Sequence, residues 1–353
     1  MKILYAVQGD GKGHAVRSSV VLNYLKNRHQ IILAANNDAY DYFKKKNKPV
    51  VHLKGLRLSY NNNKVDLIPT FMHYIKDRKK VIKYNWRKLS NIIKQNKPDV
   101  IISDFEPTSF KIAKKYNIPI ISFDNQNIIT NAEIDVPLSN TISYFLSKKV
   151  ISDWSKDADF YIISSFFSPN LKVPNSVIVP PVLRDALYSF IPEKKDFVLV
   201  YQTSNKNKHL LKILRSINAN FVIYGWDMDK NVGNLVFKKF DEYHFLKDLS
   251  SCKAVITNGG FTAITEALHF KKPILSIPIK HQFEQIVNAL HLDRLGFGEY
   301  LDKIDRKRIA DFVKNPAPYE INLFRYEPKT NHYAFGVFDY LLEIIHKRKQ
   351  KQN

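Results

Sequence analysis

The sequence predicts an α/β fold made of two doubly wound, Rossmann-like domains that face a cleft. Three observations lead to this prediction. Short apolar runs alternate with helical stretches in both halves of the chain, this rhythm breaks once near the middle, and 353 residues suffice for two domains of ordinary size. Because strands that alternate with helices pair in parallel through right-handed crossovers, each half is expected to form its own parallel sheet.

The first half shows the alternation from its first residues onward. Residues 2–7 form an apolar run, and residues 13–26 follow with Val16, Val20 and Tyr24 near helical spacing. Further strands are predicted at 30–35, 99–103, 119–123, 160–163 and 176–179, and a further helix at 108–116. These elements define an N-terminal domain over residues 1–183.

The second half repeats the alternation after a polar linker at residues 184–196. This C-terminal domain spans residues 197–330. An amphipathic helix over residues 331–346 is expected to return to the N-terminal domain, and the basic residues 347–353 to form a disordered tail. Within the C-terminal domain, strands are predicted at 197–201, 221–224, 254–257 and 274–277, and helices at 209–216, 245–250 and 263–269.

The composition indicates a folded protein of a reducing compartment. Hydrophobic residues make up 44% of the chain and aromatic residues 13%, which excludes global disorder. The single cysteine, Cys252, cannot form an internal disulfide. The first apolar run is too short for a signal peptide, and no stretch approaches the roughly 18 apolar residues that span a bilayer. We therefore expect a cytoplasmic protein, soluble or peripheral on the inner face of the membrane.

The formal net charge of +22 favours attraction to nucleic acid, an anionic membrane or phosphorylated substrates, although a Lys-, Asn- and Ile-rich composition also produces such a surplus. Residues 71–97 alone hold seven Lys, two Arg and one Asp. This segment fits either an anionic membrane surface or a core-facing helix with a solvated basic face. Its apolar residues follow one helical face, namely Phe71, Ile75, Ile82, Trp86, Leu89 and Ile93.

The turn after the first strand carries a candidate general base. Gly9, Gly11 and Gly13 alternate there and His14 follows, which does not match the spacing of a dinucleotide fingerprint. His14 lies where open α/β sheets bind ligands, at the carboxyl end of the first strand, and imidazole titrates in the range that suits proton removal from a hydroxyl. The competing interpretation is that His14 only caps or packs the first helix.

A carboxylate that orients this histidine would make it a better base. Asp104 follows the predicted strand 99–103 and is the favoured partner, and Asp124 follows strand 119–123 and is its rival. Either acid could instead cap the next helix, which would leave His14 without a carboxylate partner.

A second candidate site follows the strand at 254–257. A diglycine turn there leads into a helix, so backbone N–H groups point at whatever lies above the turn, as a diphosphate requires. Glu266 lies one helical turn further on, where a carboxylate can accept both hydroxyls of a ribose, although an acid near a helix N-terminus also suits the helix dipole. The turn and helix start consist of Asn258, Gly259, Gly260, Phe261, Thr262 and Ala263.

A polar cluster on the next helix completes this site. Mixed amide and carboxylate groups are what a hydroxyl-rich ligand needs, so the two segments together suit a nucleotide joined to a sugar. Thr203 offers a further phosphate contact, and Phe240 a wall for the base. The cluster consists of Gln282, Glu284, Gln285 and Asn288.

A carboxylate pair elsewhere raises the question of a metal. Asp227 and Asp229 are two residues apart, and such a pair can ligate a divalent cation. Because the pair lies far in sequence from the diglycine turn, we expect neither a metal nor a cofactor.

These residues together resemble the inverting glycosyltransferases of the GT-B fold, which include plant and antibiotic glucosyltransferases, the bacterial lipid II synthase and galactolipid synthases. Glu266 follows Asn258 by eight residues, and residues 284–289 read Glu-Gln-Ile-Val-Asn-Ala, which is similar to that superfamily's donor signature. Asn258 stands where the glucosyltransferases have a histidine. The start of the chain, Gly-x-Gly-His-x-x-Arg17-Ser18, resembles most an uncharacterised prokaryotic branch near glycosyltransferase families 28 and 1.

The resemblance implies metal-independent hexosyl transfer from a UDP-sugar, held by the C-terminal domain, to a hydroxyl of a lipid or lipid-linked acceptor. It also implies that His14, with Asp104 behind it, removes the proton, and that Gly13 contacts the donor. Two other functions stay open. A sugar-nucleotide epimerase or hydrolase of the same fold would consume donor without an acceptor. A non-catalytic nucleic-acid-binding protein would use the basic segment 71–97, although no RNA-binding module motif is present.

Overall fold

The computed structural model describes the fold over residues 1–55, 60–61, 64–65, 67–202, 207–327 and 329–351, and the side chains of all of these except residues 60–78. The chain divides into two compact units. Unit 1 comprises Met1–Ser59, Asp66–Arg184 and Lys329–Asn353, and unit 2 comprises Tyr60–Val65 and Asp185–Pro328. The last segment of the chain therefore belongs to the same unit as the first.

The first 184 residues alternate strands with helices, with one 3-10 helix at Leu138–Asn140. In chain order the elements are β1 (Lys2–Val7), α1 (Lys12–Leu25), β2 (Gln30–Asn36), α2 (Asn37–Lys45), β3 (Val51–Leu53), β4 (Tyr60–Asn61), β5 (Lys64–Val65), α3 (Leu67–Asn96), β6 (Val100–Asp104), α4 (Pro107–Tyr116), β7 (Ile120–Asp124), α5 (Ile128–Asn131), α6 (Thr141–Ser155), β8 (Phe160–Ser164) and β9 (Ser176–Val179).

The rest of the chain continues the alternation and ends in a long helix, with 3-10 helices at Asp185–Ser189 and Ala317–Tyr319. Its elements are β10 (Val198–Tyr201), α7 (Lys208–Arg215), β11 (Phe221–Tyr224), β12 (Lys230–Val232), β13 (Leu235–Phe237), α8 (Glu242–Ser251), β14 (Ala254–Thr257), α9 (Phe261–His269), β15 (Ile274–Ser276), α10 (Phe283–Arg294), β16 (Gly298–Tyr300), α11 (Arg306–Lys314), α12 (Glu320–Arg325) and α13 (Asn331–Gln350).

Each unit is built on its own sheet. The sheet of unit 1 has the order β3-β2-β1-β6-β7-β8-β9, and all its pairings are parallel. The sheet of unit 2 has the order β12-β13-β11-β10-β14-β15-β16 and is parallel except at its β12 edge. The central strands are apolar and buried because helices cover both faces of such sheets. The predicted fold class of two Rossmann-like α/β domains is confirmed.

The terminal helix α13 supplies part of the core of unit 1. Its buried residues pack with β1, β6 and β7, and the ring of Phe338 meets that of Phe123 edge to face, with 5.1 Å between centroids. The predicted return of this helix to the N-terminal domain is confirmed. The α13 residues in that core are Ala334, Phe338, Leu341, Leu342 and Ile345.

The basic end of the chain differs from the sequence prediction. Helix α13 continues to Gln350, so residues 347–350 form its last turn where a disordered tail is predicted. Lys347 pairs with Glu343 one turn earlier at 2.6 Å, and Lys349 pairs with Asp99 of unit 1. Basic side chains also suit the negative end of the helix dipole. These contacts extend the helix beyond its apolar stripe.

The predicted basic helix is present as α3, Leu67–Asn96. In its second half Leu89 and Ile93 are buried and Trp86 is partly buried, so this part of the stripe faces the core. Phe71 and Ile75 have side chains outside the described residues. Within the described residues, no helix is both long and apolar enough to cross a membrane.

Replacement of Phe338 by Ala should lower the free energy of unfolding by about 3–5 kcal/mol, because it leaves a cavity where a large core side chain was. Tyr340 on the same helix is 64% exposed, so Tyr340→Ala is the matched control and should change stability by no more than about 0.5 kcal/mol. Urea denaturation followed by circular dichroism measures both. Equal effects of the two substitutions would show that α13 is not part of the core.

Candidate active site

The glycine-rich turn of unit 1 lies at the switch point of its sheet. From β1 the chain passes to β2 on one side, and β6 pairs on the other side, so the loops after β1 and β6 diverge and leave a crevice at the carboxyl ends of these strands. A backbone hydrogen bond from Gln8 N–H to the Asp104 carbonyl, 2.9 Å, joins the two ends. Open α/β sheets bind their ligands at this place.

His14 and Asp104 meet at this switch point. Gly11 has φ of 93° and caps α1, which places His14 in the first turn of the helix. The imidazole Nδ1 of His14 lies 2.6 Å from Oδ1 of Asp104, and both side chains are buried. The structure thus brings together the two residues that the sequence predicts as a base and its partner.

Two residues that the sequence analysis left without a role complete this cluster. Arg17 donates to Asp104 through Nη2 at 2.5 Å to Oδ1 and through Nε at 3.2 Å to Oδ2. Ser18 donates its hydroxyl to Oδ2 at 2.6 Å. Arg17 lies three residues after His14 and Ser18 four, so both share its face of α1. This spacing is the sequence signal that could have placed them beside His14.

The cluster is a buried ion pair. Burial alone would raise the pKa of Asp104, but the positive charge of Arg17 and the hydrogen bonds from His14 and Arg17 outweigh it, so that the pKa lies below its usual value. Burial lowers the pKa of Arg17, and the attraction of Asp104 more than offsets this. Asp104 is therefore an ionised acceptor and Arg17 a cation.

The ionised carboxylate restricts the hydrogen positions on the His14 ring. Because a carboxylate only accepts, Nδ1 carries the hydrogen that is shared with Asp104, and in the neutral form of the ring the lone pair is then on Nε2. The side-chain amide of Gln126 lies 3.2 Å from Nε2. Its Oε1 accepts from the Asn125 N–H at 3.3 Å, which orients the amide nitrogen toward the ring. Gln126 was missed in the sequence because it belongs to a loop without a motif.

Asp124, the rival partner, has a different position. Its carboxylate accepts from the backbone N–H of Asn127 at 2.7 Å and from the hydroxyl of Ser122 at 2.7 Å, so it holds the loop that leads into α5. Burial raises its pKa. Asp124 therefore holds the turn before α5 without capping the helix, whose N-cap residue is Asn127, and His14 contacts Asp104.

Unit 2 repeats the arrangement of unit 1. Strand β10 lies between β11 and β14, so the loops after β10 and β14 diverge at a second switch point. There Asn258 donates through its amide to Oε1 of Gln202 at 2.9 Å and to the Ile277 carbonyl at 3.2 Å. Asn258 is only 1% exposed. It therefore ties together the loops after β10, β14 and β15.

Helix α10 supports the diglycine turn, Gly259–Gly260. Gly259 has φ of 93°, and a β-carbon there would lie 2.8 Å from the Gln285 carbonyl and 2.9 Å from the Ser276 hydroxyl. Asn288 donates to the Gly259 carbonyl at 3.1 Å, and Gln285 accepts from the Ile279 N–H at 2.9 Å. Gly260 caps α9 without a side chain, and a β-carbon added to it would meet no atom within 4 Å. A helix N-terminus with unobstructed backbone N–H groups is a place where proteins can bind anions.

The other residues that the sequence predicts to bind the donor differ in their burial and position. Phe261 and Ala263 are buried in the first turn of α9, Thr262 is partly buried, and Glu266 is 2% exposed. On α10 and its cap, Gln282 and Glu284 are partly exposed. Gly13 lies in the first turn of α1. Thr203 lies outside the described residues.

Phe240 belongs to an aromatic cluster next to the carboxyl end of the unit 2 sheet. Its ring centroid lies 5.4 Å from that of Phe245 and 6.3 Å from that of Tyr201, and the side chain is 39% exposed. The Asp227–Asp229 pair lies on the loop before β12, where Asp229 accepts from the Lys239 N–H at 2.9 Å. In the described part of the chain, no three His, Cys, Asp or Glu side chains gather as metal ligands.

Two Rossmann-like units, each with a polar turn at the switch point of its sheet, form the architecture of GT-B glycosyltransferases, and comparison with known proteins agrees. Residues 1–316 match the family model described as glycosyl transferase family 1, and the chain belongs to this family.

Individual relatives are distant but cover most of the chain. An uncharacterized glycosyltransferase of Methanosarcina mazei is 24% identical over 331 residues, which cover 85% of this chain and 86% of the relative. The UDP-N-acetylglucosamine--N-acetylmuramyl-(pentapeptide) pyrophosphoryl-undecaprenol N-acetylglucosamine transferase 3 of Bacillus cereus is 24% identical, with 72% and 76% covered. The structure of the Streptomyces sp. SF2575 glycosyltransferase SsfS6 in complex with thymidine diphosphate has a TM-score of 0.64 and 14% identity, and 92% of this chain and 94% of that chain are covered.

Substitution of Gly259 by Ala should lower the free energy of unfolding by about 2–4 kcal/mol, because it adds a steric overlap to an unfavourable φ. Gly233 in unit 2 also has a positive φ, of 60°, but open space around it. Gly233→Ala is therefore the control, with an expected loss of about 1–2 kcal/mol. Chemical denaturation separates the two values, and equal losses would mean that the packing under the diglycine turn is loose.

Proposed function

We propose that this chain is an inverting glycosyltransferase that moves a sugar from a nucleoside-diphosphate donor, a UDP-sugar, to a hydroxyl group, with His14 as the general base. The observation that carries the proposal is the 2.6 Å contact of His14 Nδ1 with the buried Asp104 carboxylate at the switch point of unit 1. This contact leaves the Nε2 lone pair as the one site on the ring that can take a proton.

The proposed step moves one proton and exchanges one bond. The acceptor hydroxyl takes the place of the Gln126 amide at Nε2 and gives its proton to that atom. Its oxygen attacks the anomeric carbon of the sugar from the side opposite the diphosphate. The bond from that carbon to the diphosphate oxygen breaks, the electron pair leaves with the nucleoside diphosphate, and the anomeric configuration inverts. Asp104 stabilises the imidazolium that forms.

The donor is assigned to unit 2. The N-terminus of α9 offers backbone N–H groups and the positive end of a helix dipole to the diphosphate, and these also stabilise the charge that develops on it as it leaves. We assign Glu266, one turn into α9, to the ribose and Phe240 to the nucleobase. Thymidine diphosphate bound to the structural neighbour SsfS6 supports a nucleoside diphosphate as the ligand class.

We assign a lipid or lipid-linked acceptor at the inner face of a membrane, with α3 as the segment that contacts the anionic surface. The printed name of the Bacillus cereus relative specifies an undecaprenol-linked acceptor. Unit 1 also exposes an apolar stripe, Leu138, Ile142 and Phe145, at the start of α6. A hydrocarbon chain or a membrane surface fits such a stripe.

The first experiment is a thermal-shift screen against UDP, GDP, CDP, dTDP and their common sugar conjugates, with and without Mg²⁺. Stabilisation that grows with the concentration of one nucleotide supports the donor site and identifies the nucleobase of the donor. The donor is then incubated without an acceptor. Rapid consumption under that condition would favour the epimerase or hydrolase alternative. Salt-sensitive oligonucleotide binding with no response to any nucleotide would favour the nucleic-acid alternative.

His14→Ala should lower turnover by about 10²–10⁴-fold, the usual contribution of a general base, and leave the donor dissociation constant unchanged. His52, which is exposed in unit 1 and contacts the ring of Tyr40 at a tilted angle, gives the control variant His52→Ala. Steady-state kinetics and calorimetric titration with donor provide the two readouts. Full turnover by His14→Ala would exclude His14 as the base.

Glu266→Gln should weaken donor binding at least about tenfold, because a hydrogen bond to a charged acceptor contributes about 1.5–3 kcal/mol. Glu320 of unit 2, which is partly exposed and pairs with Lys194, supplies the control Glu320→Gln. The dissociation constants of UDP and of uridine without phosphate are compared by calorimetry. If Glu266 contacts the ribose, the affinity for both ligands should fall by a similar factor. An unaltered dissociation constant for either ligand would show that Glu266 does not contact the ribose.

A further inference from the structure

Arg17 is connected to both nitrogen atoms of the His14 ring. On one side its guanidinium holds Asp104 through two hydrogen bonds, and Asp104 accepts from Nδ1. On the other side Nη1 donates to Oδ1 of Asn125 at 2.9 Å, and the Asn125 N–H holds the amide of Gln126 that lies against Nε2. Arg17 is 5% exposed, so water contributes little to these contacts.

The guanidinium also approaches the ring itself. Its Nη2 lies 3.0 Å from His14 Nδ1. Both nitrogen atoms carry hydrogen in the tautomer derived above, so this is a close approach of two donors and not a hydrogen bond. A proton added to the ring would therefore place a second positive charge directly beside the first.

We propose that Arg17 is a positioning residue that neutralises Asp104 and thereby keeps His14 unprotonated, in its Nδ1–H tautomer, near neutral pH. This inference rests on the proposed function, in which His14 must accept a proton at Nε2. Arg17 touches no reacting atom in that step and acts through Asp104, Asn125 and Gln126.

The charges around His14 support this role. A histidine beside an unpaired carboxylate gains a proton readily, because the imidazolium neutralises the carboxylate. Here Arg17 already neutralises the carboxylate. Asp104 and Arg17 both contact the ring at Nδ1, and the charges of Asp124 and Tyr5 act on Arg17. Asp104 then orients the ring without drawing a proton onto it at rest.

The geometry also distinguishes arginine from lysine. One guanidinium reaches both Asp104 oxygens and the Asn125 side chain at once. A lysine ammonium would supply the same charge from a single point and could not keep all three contacts. Charge and orientation can therefore be separated by substitution.

The test is a pH titration of the His14 imidazole by NMR on the full chain with ¹⁵N-labelled histidine. The signal is assigned by its loss in His14→Ala. Arg17→Gln should move the titration midpoint upward by about one pH unit or more, the effect of removing a like charge within about 4–6 Å. Arg17→Lys should leave the midpoint near that of the parent protein. Arg28→Gln removes an arginine from another ion pair, with Asp339, and should leave the midpoint unchanged.

An unchanged midpoint in Arg17→Gln, or a rise in Arg17→Lys as large as in Arg17→Gln, would overturn the inference. If Arg17→Gln does not fold, the Arg17→Lys titration decides alone, since a midpoint that rises although the charge is kept rules out neutralisation as the cause.

The pH dependence of turnover gives the second readout. In Arg17→Gln the acidic limb should move to higher pH by the same amount as the NMR midpoint, so that activity recovers in part at alkaline pH. A purely structural role would lower turnover equally at every pH, and that result would also overturn the inference. If His14→Ala keeps full turnover while Arg17→Gln still shifts the NMR midpoint, the proposed function fails and the electrostatic role of Arg17 stands.

Discussion

The charge of Asp104 is the constraint on which the site of unit 1 depends. A carboxylate without solvent contact must be compensated inside the protein, and here Arg17, His14 and Ser18 provide four hydrogen bonds to its two oxygen atoms. All three donors come from α1, and the acceptor ends β6. The same contacts that satisfy the carboxylate therefore fix the first helix against β6 and engage Nδ1 of His14.

The switch point of unit 2 is held by hydrogen bonds between uncharged groups. At its switch point an amide, that of Asn258, takes the place of an ion pair, and it donates to Gln202 and to the Ile277 carbonyl. Its hydrogen bonds fix three loops, and Asn288 and Gln285 support the turn from α10. The N-terminus of α9 begins directly after this turn. The switch point of unit 1 is thus held by a buried ion pair, and that of unit 2 by hydrogen bonds between neutral amide and carbonyl groups.

The sequence was most informative where a local pattern determines the structure. Strands such as Phe221–Tyr224 and Ala254–Thr257 have the predicted bounds because short apolar runs between turn residues have few alternatives. The position of His14 and Asp104 at strand ends followed from parallel topology. The ion pair of Arg17 with Asp104 could not be predicted, because the two residues are 87 positions apart and only the fold brings them together. The end of α13 was misjudged for the same reason, since its partner Asp99 is distant in sequence.

The path of the chain through unit 1 has a consequence for its synthesis. The core of that unit includes Phe338, Leu341 and Ile345 of α13, yet nearly all of unit 2 precedes these residues in the chain. Domains usually fold in the order in which they leave the ribosome. Here the N-terminal half keeps an uncovered apolar face until α13 has been translated, whereas the core of unit 2 can form before that. The part of the protein that is made first is thus completed last.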